Sequence, residues 1–192
     1  MRKKQPEIFD ITFIGAGPTG LFGAFYAGLR ELKVKVIDAL PQAGGQLITL
    51  YPEKMIYDTP GFPAILSKEL VGNLLEQAEQ WSPTMALGER AEKLVREPRP
   101  GGEENEDCWV IETQKERHYT RTVVIAAGIG AFEPRRLKNE SIESFEQRGV
   151  EYLVTDVNQF AGQRVLIVGG GDSAVDWALA LESTAEHVTL IH

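Results

Sequence analysis

The stretch FDITFIGAGPTGLFGAFYAG (residues 9–28) decides the fold of the first part of the chain. An apolar run that is rich in β-branched and aromatic residues ends at Gly15, which is typical of a buried parallel strand. Gly15, Gly17 and Gly20 follow with the spacing G-x-G-x-x-G, and a helix is predicted from about Thr19 to Leu32. This order of strand, glycine turn and helix predicts a site for the pyrophosphate of a nucleotide.

Each glycine of this turn has a separate task. Gly15 permits the tight turn, Gly17 lets a pyrophosphate approach the backbone, and Gly20 lets the helix pack closely. The next predicted strand, KVKVID (33–38), ends at Asp38. An acid at this place accepts hydrogen bonds from ribose hydroxyls and repels a 2′-phosphate. The sequence therefore predicts a complete dinucleotide site, with free N–H groups at the helix N-terminus facing the phosphates.

A second glycine turn occurs in RVLIVGGGDSAVDWAL (164–179). Gly169, Gly171 and Ala174 form the variant G-x-G-x-x-A, again between a predicted strand and a helix. Asp172 and Ser173 lie where that helix begins, and a hydroxyl there can cap the helix or touch phosphate. The residue that selects NAD or NADP is expected at the end of the next strand, HVTLIH (187–192), at or beyond His192, so these residues do not give the nucleotide preference. Two such turns predict two dinucleotides and electron transfer between them.

The segment between the turns predicts an α/β fold. Residues 39–63 are rich in proline, glycine and tyrosine and predict a long irregular connection, and 67–81 predicts a helix. Three alternating stretches then predict an antiparallel meander: AEKLVRE (91–97), CWVIETQ (108–114) and RHYTRTVVIAAG (117–128). We expect a domain boundary near 134–150.

The overall composition limits the functional classes. The chain has 192 residues, 43% hydrophobic and 25% charged, which is typical of a globular protein. No apolar run is long enough to span a membrane, and a net charge of -8 argues against nucleic acid as a partner. One cysteine, Cys108, excludes an intramolecular disulfide and suits a reducing cytoplasm. The three histidines are scattered, so we expect no metal site: His118, His187 and His192.

Three further stretches carry a family resemblance: GGQLITLYPEKMIYDTPGFP (44–63), AAGIGAFEPRRL (126–137) and VGGGDSAVDWAL (168–179). Through them, nearly the whole chain resembles the first part of the thioredoxin reductase-like ferredoxin/flavodoxin–NADP(+) reductases, flavoproteins with two dinucleotide-binding domains. The resemblance implies a three-layer, Rossmann-like FAD-binding domain with an antiparallel β-meander at 1–133, without the segment that returns from the family's C-terminal part. It also implies a linker and the start of a Rossmann-like NAD(P)H-binding domain at 134–192. Family members are longer than 192 residues, so we expect the chain to be a fragment.

The resemblance also implies the cofactors and their contacts. FAD would occupy the first site and NADPH the second. Thr19 and Asp38 would hold the ADP half of FAD, Tyr51 would stack on the isoalloxazine beside Gln46, and Ala91 would meet the adenine through its backbone. Phe132 would line the flavin pocket. The complete expected set is Gly15, Gly17, Pro18, Thr19, Gly20, Asp38, Gly45, Gln46, Leu47, Tyr51, Ala91, Ala127, Gly128, Phe132, Gly169, Gly171, Asp172, Ser173 and Ala174.

The route by which electrons leave follows from a missing motif. Thioredoxin reductases of this layout carry a Cys-x-x-C pair in the region that here reads YLVTDVNQFAG (152–162) and has no cysteine. Cys108 lies in a strand-like run far from both turns and is expected to be buried and structural. The flavin itself is then the expected exit, with ferredoxin or flavodoxin as the acceptor, and no side chain is expected to be catalytic.

Two other interpretations of the chain stay open at this point. One is another enzyme of the same layout, either a disulfide reductase that uses a partner's cysteines or a flavin monooxygenase. The other is a truncated FAD-binding module without turnover. A homodimer is expected for the full-length protein.

Overall fold

The computed structural model describes residues 5–103, 106–130, 136–137, 140–146, 148–152, 154 and 156–192. Its backbone divides into two compact units, one formed by residues 1–45 and 70–132 and the other by 46–69 and 133–192. The strands are β1 Ile8–Ile14, β2 Val34–Asp38, β3 Met55–Ile56, β4 Ile65–Leu66, β5 Thr84–Leu87, β6 Ala91–Pro98, β7 Asp107–Thr113, β8 Arg117–Ile125, β9 Arg164–Val168 and β10 His187–Ile191. The helices are α1 Pro18–Gly28, α2 Gln46–Thr49, α3 Ser67–Glu79, α4 Glu140–Glu143 and α5 Asp172–Leu181, with a 3₁₀ helix at Val157–Phe160.

The first unit contains one mixed sheet in the order β5-β2-β1-β8-β7-β6. β1 runs parallel to both β2 and β8, and β2 runs parallel to β5. β7 runs antiparallel to β6 and to β8, so these three strands are the predicted meander. β8 pairs in parallel with β1 and in antiparallel with β7, so the parallel strands and the meander form one continuous sheet. The predicted α/β class with its meander is confirmed.

The first helix packs on this sheet through small residues. Ala24 and Ala27 are buried in one cluster with Phe13, Val34 and Val36. The small side chains at these two positions let the helix backbone approach the strands.

The predicted extent of this first helix is wrong. α1 ends at Gly28 and not at Leu32, because Glu31 adopts a φ of 61°, which no helix accommodates. The Trp81 side chain packs directly against Gly28, where an added Cβ would overlap it. The chain therefore turns toward β2 one helical turn earlier than the apolar pattern indicates.

The predicted irregular connection at 39–63 is only partly irregular. It contains the short helix α2 and the strand β3, which pairs antiparallel with β4. β5 was not predicted, since its four residues TMAL show no alternation that distinguishes a strand.

The second unit contains the other predicted strand, glycine turn and helix. β9 and β10 pair in parallel from Arg164 with His187 to Val168 with Ile191, and α5 connects them. Leu181, at the end of α5, is buried. Over the residues that the structure describes, no helix combines the length and the apolar character needed to cross a bilayer.

Candidate functional site

The first glycine turn is closed by backbone hydrogen bonds from both neighbouring strands. The Gly15 N–H donates to Ile37 O at 2.8 Å, and the Ala126 N–H donates to Ile14 O at 2.8 Å. Gly15 has a φ of 112°, and a Cβ there would overlap the carbonyl oxygen of Ala126. Glycine is therefore required at this position by both backbone conformation and space.

The other glycines of the turn make a cradle at the start of α1. A Cβ on Gly20 would overlap Gly15 O, and a Cβ on Gly45 would lie 3.0 Å from the Cα of Gly17. Gly17 is the N-cap residue of α1, and no side chain forms a capping hydrogen bond with the helix N-terminus. Pro18 occupies the first helical turn. A helix N-terminus lined by backbone alone is the arrangement that accommodates a pyrophosphate. The cradle fits the phosphates of a dinucleotide.

Asp38 lies beside this cradle and is held there by two backbone amides. Its Oδ2 accepts the N–H of Ala16 at 2.6 Å, and its Oδ1 accepts the N–H of Leu40 at 2.8 Å. The carboxylate is half-buried. Since a carboxylate offers about four lone-pair sites, two of them remain for ribose hydroxyls.

The segment that begins β6 is hydrogen-bonded to the end of β2. The Glu89 N–H donates to Asp38 O at 2.9 Å, and the Gly88 N–H donates to Leu40 O at 2.8 Å. Ala91, the first residue of β6, is half-buried. The structure thus brings the predicted adenine contact to the same edge of the sheet as the predicted ribose contact.

Other predicted residues of the first site are also placed in this unit. Thr19 is exposed in the first turn of α1. Ala127 lies beside Gly15, with its Cα 3.0 Å from where a Gly15 Cβ would be. Gly128, with a φ of 56°, belongs to the turn in which the Gly130 N–H donates to Ala127 O. Phe132 lies outside the described residues.

The predicted flavin contacts Gln46, Leu47 and Tyr51 belong to the second unit. Gln46 and Leu47 lie on α2, and the ring of Tyr51 has the Nζ of Lys54 at 5.4 Å from its centroid. Lys54 also forms an ion pair with Asp176 of α5 at 3.0 Å, and this hydrogen bond raises the pKa of Lys54. Tyr51, Lys54 and Asp176 border a cleft of about 320 Å³. Its lining consists of Leu50, Tyr51, Pro52, Glu53, Lys54, Asp176, Trp177, Leu179 and Ala180.

The second glycine turn repeats the hydrogen bond of the first. The Gly169 N–H donates to Ile191 O at 2.9 Å, as Gly15 does to Ile37. Gly171 is the N-cap residue of α5 and no side chain caps the helix. Of the two uses expected of a hydroxyl here, contact with phosphate is the one that stays a prediction. Asp172 and Ser173 are exposed, which leaves both free to meet a ligand.

His192 takes the place in the second unit that Asp38 takes in the first. Asp38 follows Ile37, which pairs with Ile14, and His192 follows Ile191, which pairs with Val168. The His192 ring packs on Gly170, where an added Cβ would overlap it. An imidazole therefore occupies, at the second turn, the place that the Asp38 carboxylate occupies at the first.

Cys108 has the surroundings of a structural residue, as predicted. It lies on β7 with 1% of its surface exposed. Burial raises the pKa of its thiol, and the negative charge of Glu97 adds to that effect. A thiol with a raised pKa and no solvent access is a poor nucleophile and a poor redox group.

Comparisons with known proteins agree with this geometry. Residues 103–192 match the family described as pyridine nucleotide-disulphide oxidoreductase. The chain is 51% identical over 189 residues to a ferredoxin–NADP reductase of Halalkalibacterium halodurans, covering 98% of this chain and 55% of that protein. It is 50% identical over 188 residues to the ferredoxin–NADP reductase of Enterococcus faecalis, covering 98% of this chain and 54% of that protein. The chain thus spans about half the length of the curated relatives it matches.

Among solved structures, the chain is similar to the thioredoxin reductase of Lactococcus lactis in its FR conformation. The TM-score is 0.69 at 29% sequence identity, and the match covers 96% of this chain and 56% of the other. Over nearly all of its residues the chain is therefore similar to about half of the length of ferredoxin–NADP reductases, and its fold is similar to that of a thioredoxin reductase.

Proposed function

We propose that the full-length protein is an FAD-dependent oxidoreductase that passes electrons from NADPH through its flavin to ferredoxin or flavodoxin. In this proposal residues 1–133 supply the FAD-binding domain and 134–192 begin the NADPH-binding domain. One observation carries it: two glycine turns with the same closing hydrogen bond occur in a chain whose single cysteine is buried.

The first turn binds the ADP half of FAD. The cradle at Gly17 and Gly45 receives the pyrophosphate, and Asp38 accepts the ribose hydroxyls with the lone pairs that Ala16 and Leu40 leave free. The backbone of Ala91 meets the adenine. All of these groups are fixed by backbone hydrogen bonds before a ligand arrives, so little conformational entropy is lost on binding.

Tyr51, Gln46 and Leu47 bind the flavin ring. A tyrosine offers a flat apolar face to a stacked ring while its hydroxyl stays in contact with water. Half-burial of Tyr51 is consistent with that use. The chain then orients the ring and limits the access of water to one of its faces.

The second turn binds the pyridine nucleotide. The backbone at Gly169 and Gly171 receives its pyrophosphate at the uncapped N-terminus of α5, which begins with Asp172, Ser173 and Ala174. His192 replaces the acid that would repel a 2′-phosphate, and this favours NADPH over NADH.

The acceptor follows from the chemistry that is absent from the sequence. A bound flavin accepts a hydride as two electrons and can release them one at a time. The region 152–162 has no cysteine and Cys108 is buried, so the chain offers no dithiol to a disulfide substrate. A one-electron carrier such as ferredoxin or flavodoxin is the acceptor that remains.

The cellular setting belongs to the same proposal. A free, unmodified cysteine suits the reducing cytoplasm. We propose a homodimer on the strength of the family resemblance. Analytical ultracentrifugation of the full-length protein tests this assembly.

Stopped-flow absorbance of the full-length gene product tests the electron route. We expect NADPH to bleach the flavin band rapidly, and ferredoxin or flavodoxin to restore it faster than oxidised thioredoxin or oxygen. Preferential reoxidation by thioredoxin would favour a disulfide reductase, and preferential reoxidation by oxygen would favour a monooxygenase. Absence of any reduction by NADPH would favour a binding module without turnover.

Replacement of the buried thiol gives a second test of the exit route. We expect Cys108→Ser to leave the rate of electron transfer to a one-electron acceptor unchanged, because no proposed step uses a thiol. The variant's flavin content and melting temperature are the controls for folding. A large loss of rate at normal flavin content would contradict flavin as the exit.

A further inference from the structure

Three charged or titratable side chains form a buried chain of hydrogen bonds outside the proposed cofactor contacts. Lys35 lies on β2, His118 on β8, and Glu89 between β5 and β6. Lys35 Nζ lies 2.8 Å from His118 Nδ1, and His118 Nε2 lies 2.9 Å from Glu89 Oε2. All three residues are at most 8% exposed. We call them the Lys35–His118–Glu89 network.

The chemistry of the three groups fixes the direction of these hydrogen bonds. A lysine ammonium only donates, so His118 Nδ1 accepts from Lys35 and the ring proton lies on Nε2. That proton is donated to the Glu89 carboxylate, which also accepts the hydroxyl of Thr113 at 2.9 Å. A second proton on His118 would point an N–H at the Lys35 ammonium and break the chain.

The charges around the network agree with this arrangement. Burial alone would raise the pKa of Glu89, but hydrogen bonds from His118 and Thr113 outweigh it and the pKa is lowered. Burial lowers the pKa of Lys35, and Lys33 lowers it further. Three carboxylates oppose that shift on Lys35: Glu116, Glu7 and Glu89. The positive charge of Lys115 also lowers the pKa of Glu89.

The same atoms do not make a good metal site. Glu89, Glu116 and His118 each offer one ligand atom within 4.8 Å of the others, a grouping that the sequence did not predict. The Lys35 ammonium, however, lies against His118 Nδ1 and would repel a cation. The hydrogen-bonded network accounts for Lys35, His118 and Glu89 without an ion.

The network is joined through Glu89 to the adenosine end of the first site. The Glu89 side chain belongs to the network, while its backbone N–H donates to Asp38 O at 2.9 Å. On either side, the Gly88 N–H donates to Leu40 O, and the Arg90 N–H donates to the side chain of Gln114 at 2.7 Å. Residues 88–90 are thereby held by hydrogen bonds to two neighbouring segments, at 38–40 and at Gln114.

We propose that the Lys35–His118–Glu89 network positions residues 88–91 and Asp38 for the adenosine half of the bound dinucleotide. Glu89 and His118 are then positioning residues for FAD binding, since neither is placed in contact with the cofactor. The inference rests on the proposed function, which assigns FAD to the first turn.

Equilibrium binding of FAD to the flavin-free full-length protein tests this inference. The dissociation constant is measured by quenching of flavin fluorescence for the wild type, His118→Leu, His118→Gln and the control His187→Leu, whose histidine is exposed on β10. We expect His118→Leu to weaken FAD binding about tenfold or more, because it removes the hydrogen bond of the buried Lys35 ammonium and one of the two that Glu89 accepts. His118→Gln should restore most of the affinity, since its amide oxygen accepts from Lys35 and its N–H₂ donates to Glu89. His187→Leu should bind as the wild type does.

Local hydrogen exchange separates positioning from a general loss of stability. Amide hydrogen exchange at 88–91 in the flavin-free protein should be faster in His118→Leu than in the wild type.

Two results overturn the inference by itself while wild-type FAD binding is normal. One is wild-type affinity in His118→Leu, and the other is an affinity of His118→Gln as low as that of His118→Leu. If His118→Leu does not fold, Glu89→Gln takes its place: it should weaken FAD binding and speed amide exchange at 88–91, and wild-type affinity in this variant would overturn the inference. Failure of the wild type to bind FAD would overturn the proposed function, and this inference with it.

Discussion

The two glycine turns share one hydrogen bond and differ in what surrounds it. In both, the first glycine donates its N–H to a backbone carbonyl near the end of the neighbouring strand: Gly15 to Ile37 O at 2.8 Å, and Gly169 to Ile191 O at 2.9 Å. At the third motif position the first turn has Gly20 and the second has Ala174. A Cβ on Gly20 would overlap Gly15 O, whereas the Ala174 Cβ lies 3.4 Å from the Cβ that Gly169 would carry. The motif thus fixes the hydrogen bond, while the distance between helix and turn decides which residue the third position accepts.

The strands that lead into the turns also differ. β1 lies between β2 and β8 and buries Phe9 and Phe13. Among the described residues β9 pairs with β10, and Leu166 and Val168 are both more than half exposed. Within the described residues, the strand before the first turn is therefore paired on both edges, and the strand before the second turn is paired on one.

Exchanging the third motif residue should break this comparison most strongly. We expect Gly20→Ala to lower the free energy of unfolding by about 3 kcal/mol or more, because the obstacle is backbone and cannot rotate away. Ala174→Gly, the reverse change in the second turn, should cost about 1 kcal/mol from helix propensity alone. Urea unfolding followed by circular dichroism measures both. Equal losses in the two variants would show that the turns are packed alike.

Removal of the Asp38 carboxylate tests whether the first turn binds the ribose of FAD. We expect Asp38→Ala to weaken FAD binding by about 1.5–3 kcal/mol, the range for a hydrogen bond to a charged group. Part of this loss comes from the Ala16 and Leu40 amides, which lose their acceptor. Glu92→Ala, an exposed carboxylate on β6, is the matched control. A variant that purifies with a full complement of flavin would refute the ribose assignment.

Making the second turn resemble the first should change the nucleotide preference. We expect His192→Asp to reduce the ratio of NADPH to NADH reactivity about tenfold, which corresponds to about 1.4 kcal/mol. A carboxylate at this place repels the 2′-phosphate and accepts the ribose hydroxyls of NADH. Rates of flavin reduction by each nucleotide in the full-length protein measure this ratio, with His187→Asp as the control. An unchanged ratio would place the selective residue elsewhere.

Much of the fold was predictable because its signals are local. The glycine turns, the strands that end at them and the meander depend on short apolar or alternating stretches, and each was found where expected. β5 was missed because four residues at a sheet edge carry no period. The end of α1 was misplaced because the pattern of small apolar residues continues past Gly28, where Trp81 from a distant segment packs.

The candidate site shows the same limit. Gly15, Gly20 and Asp38 were identified because they lie within one strand-helix-strand unit. The Lys35–His118–Glu89 network was not, because its members come from three separate segments and only the folded sheet brings them together. His118 had been interpreted as a scattered histidine, and the hydrogen bonds on both ring nitrogens now give it a defined role in the fold.

The position of β1 in its sheet has a consequence for synthesis of the protein. Ile14 pairs on one side with Ile37 but on the other with Ile125, which the ribosome adds much later. At about 5–20 residues per second, that interval is on the order of ten seconds. Until then the nascent chain presents one edge of an apolar strand without a partner, and an unpaired strand edge readily recruits other chains. The nascent chain is therefore most exposed to aggregation before β8 emerges, and chaperone binding during that interval would protect it.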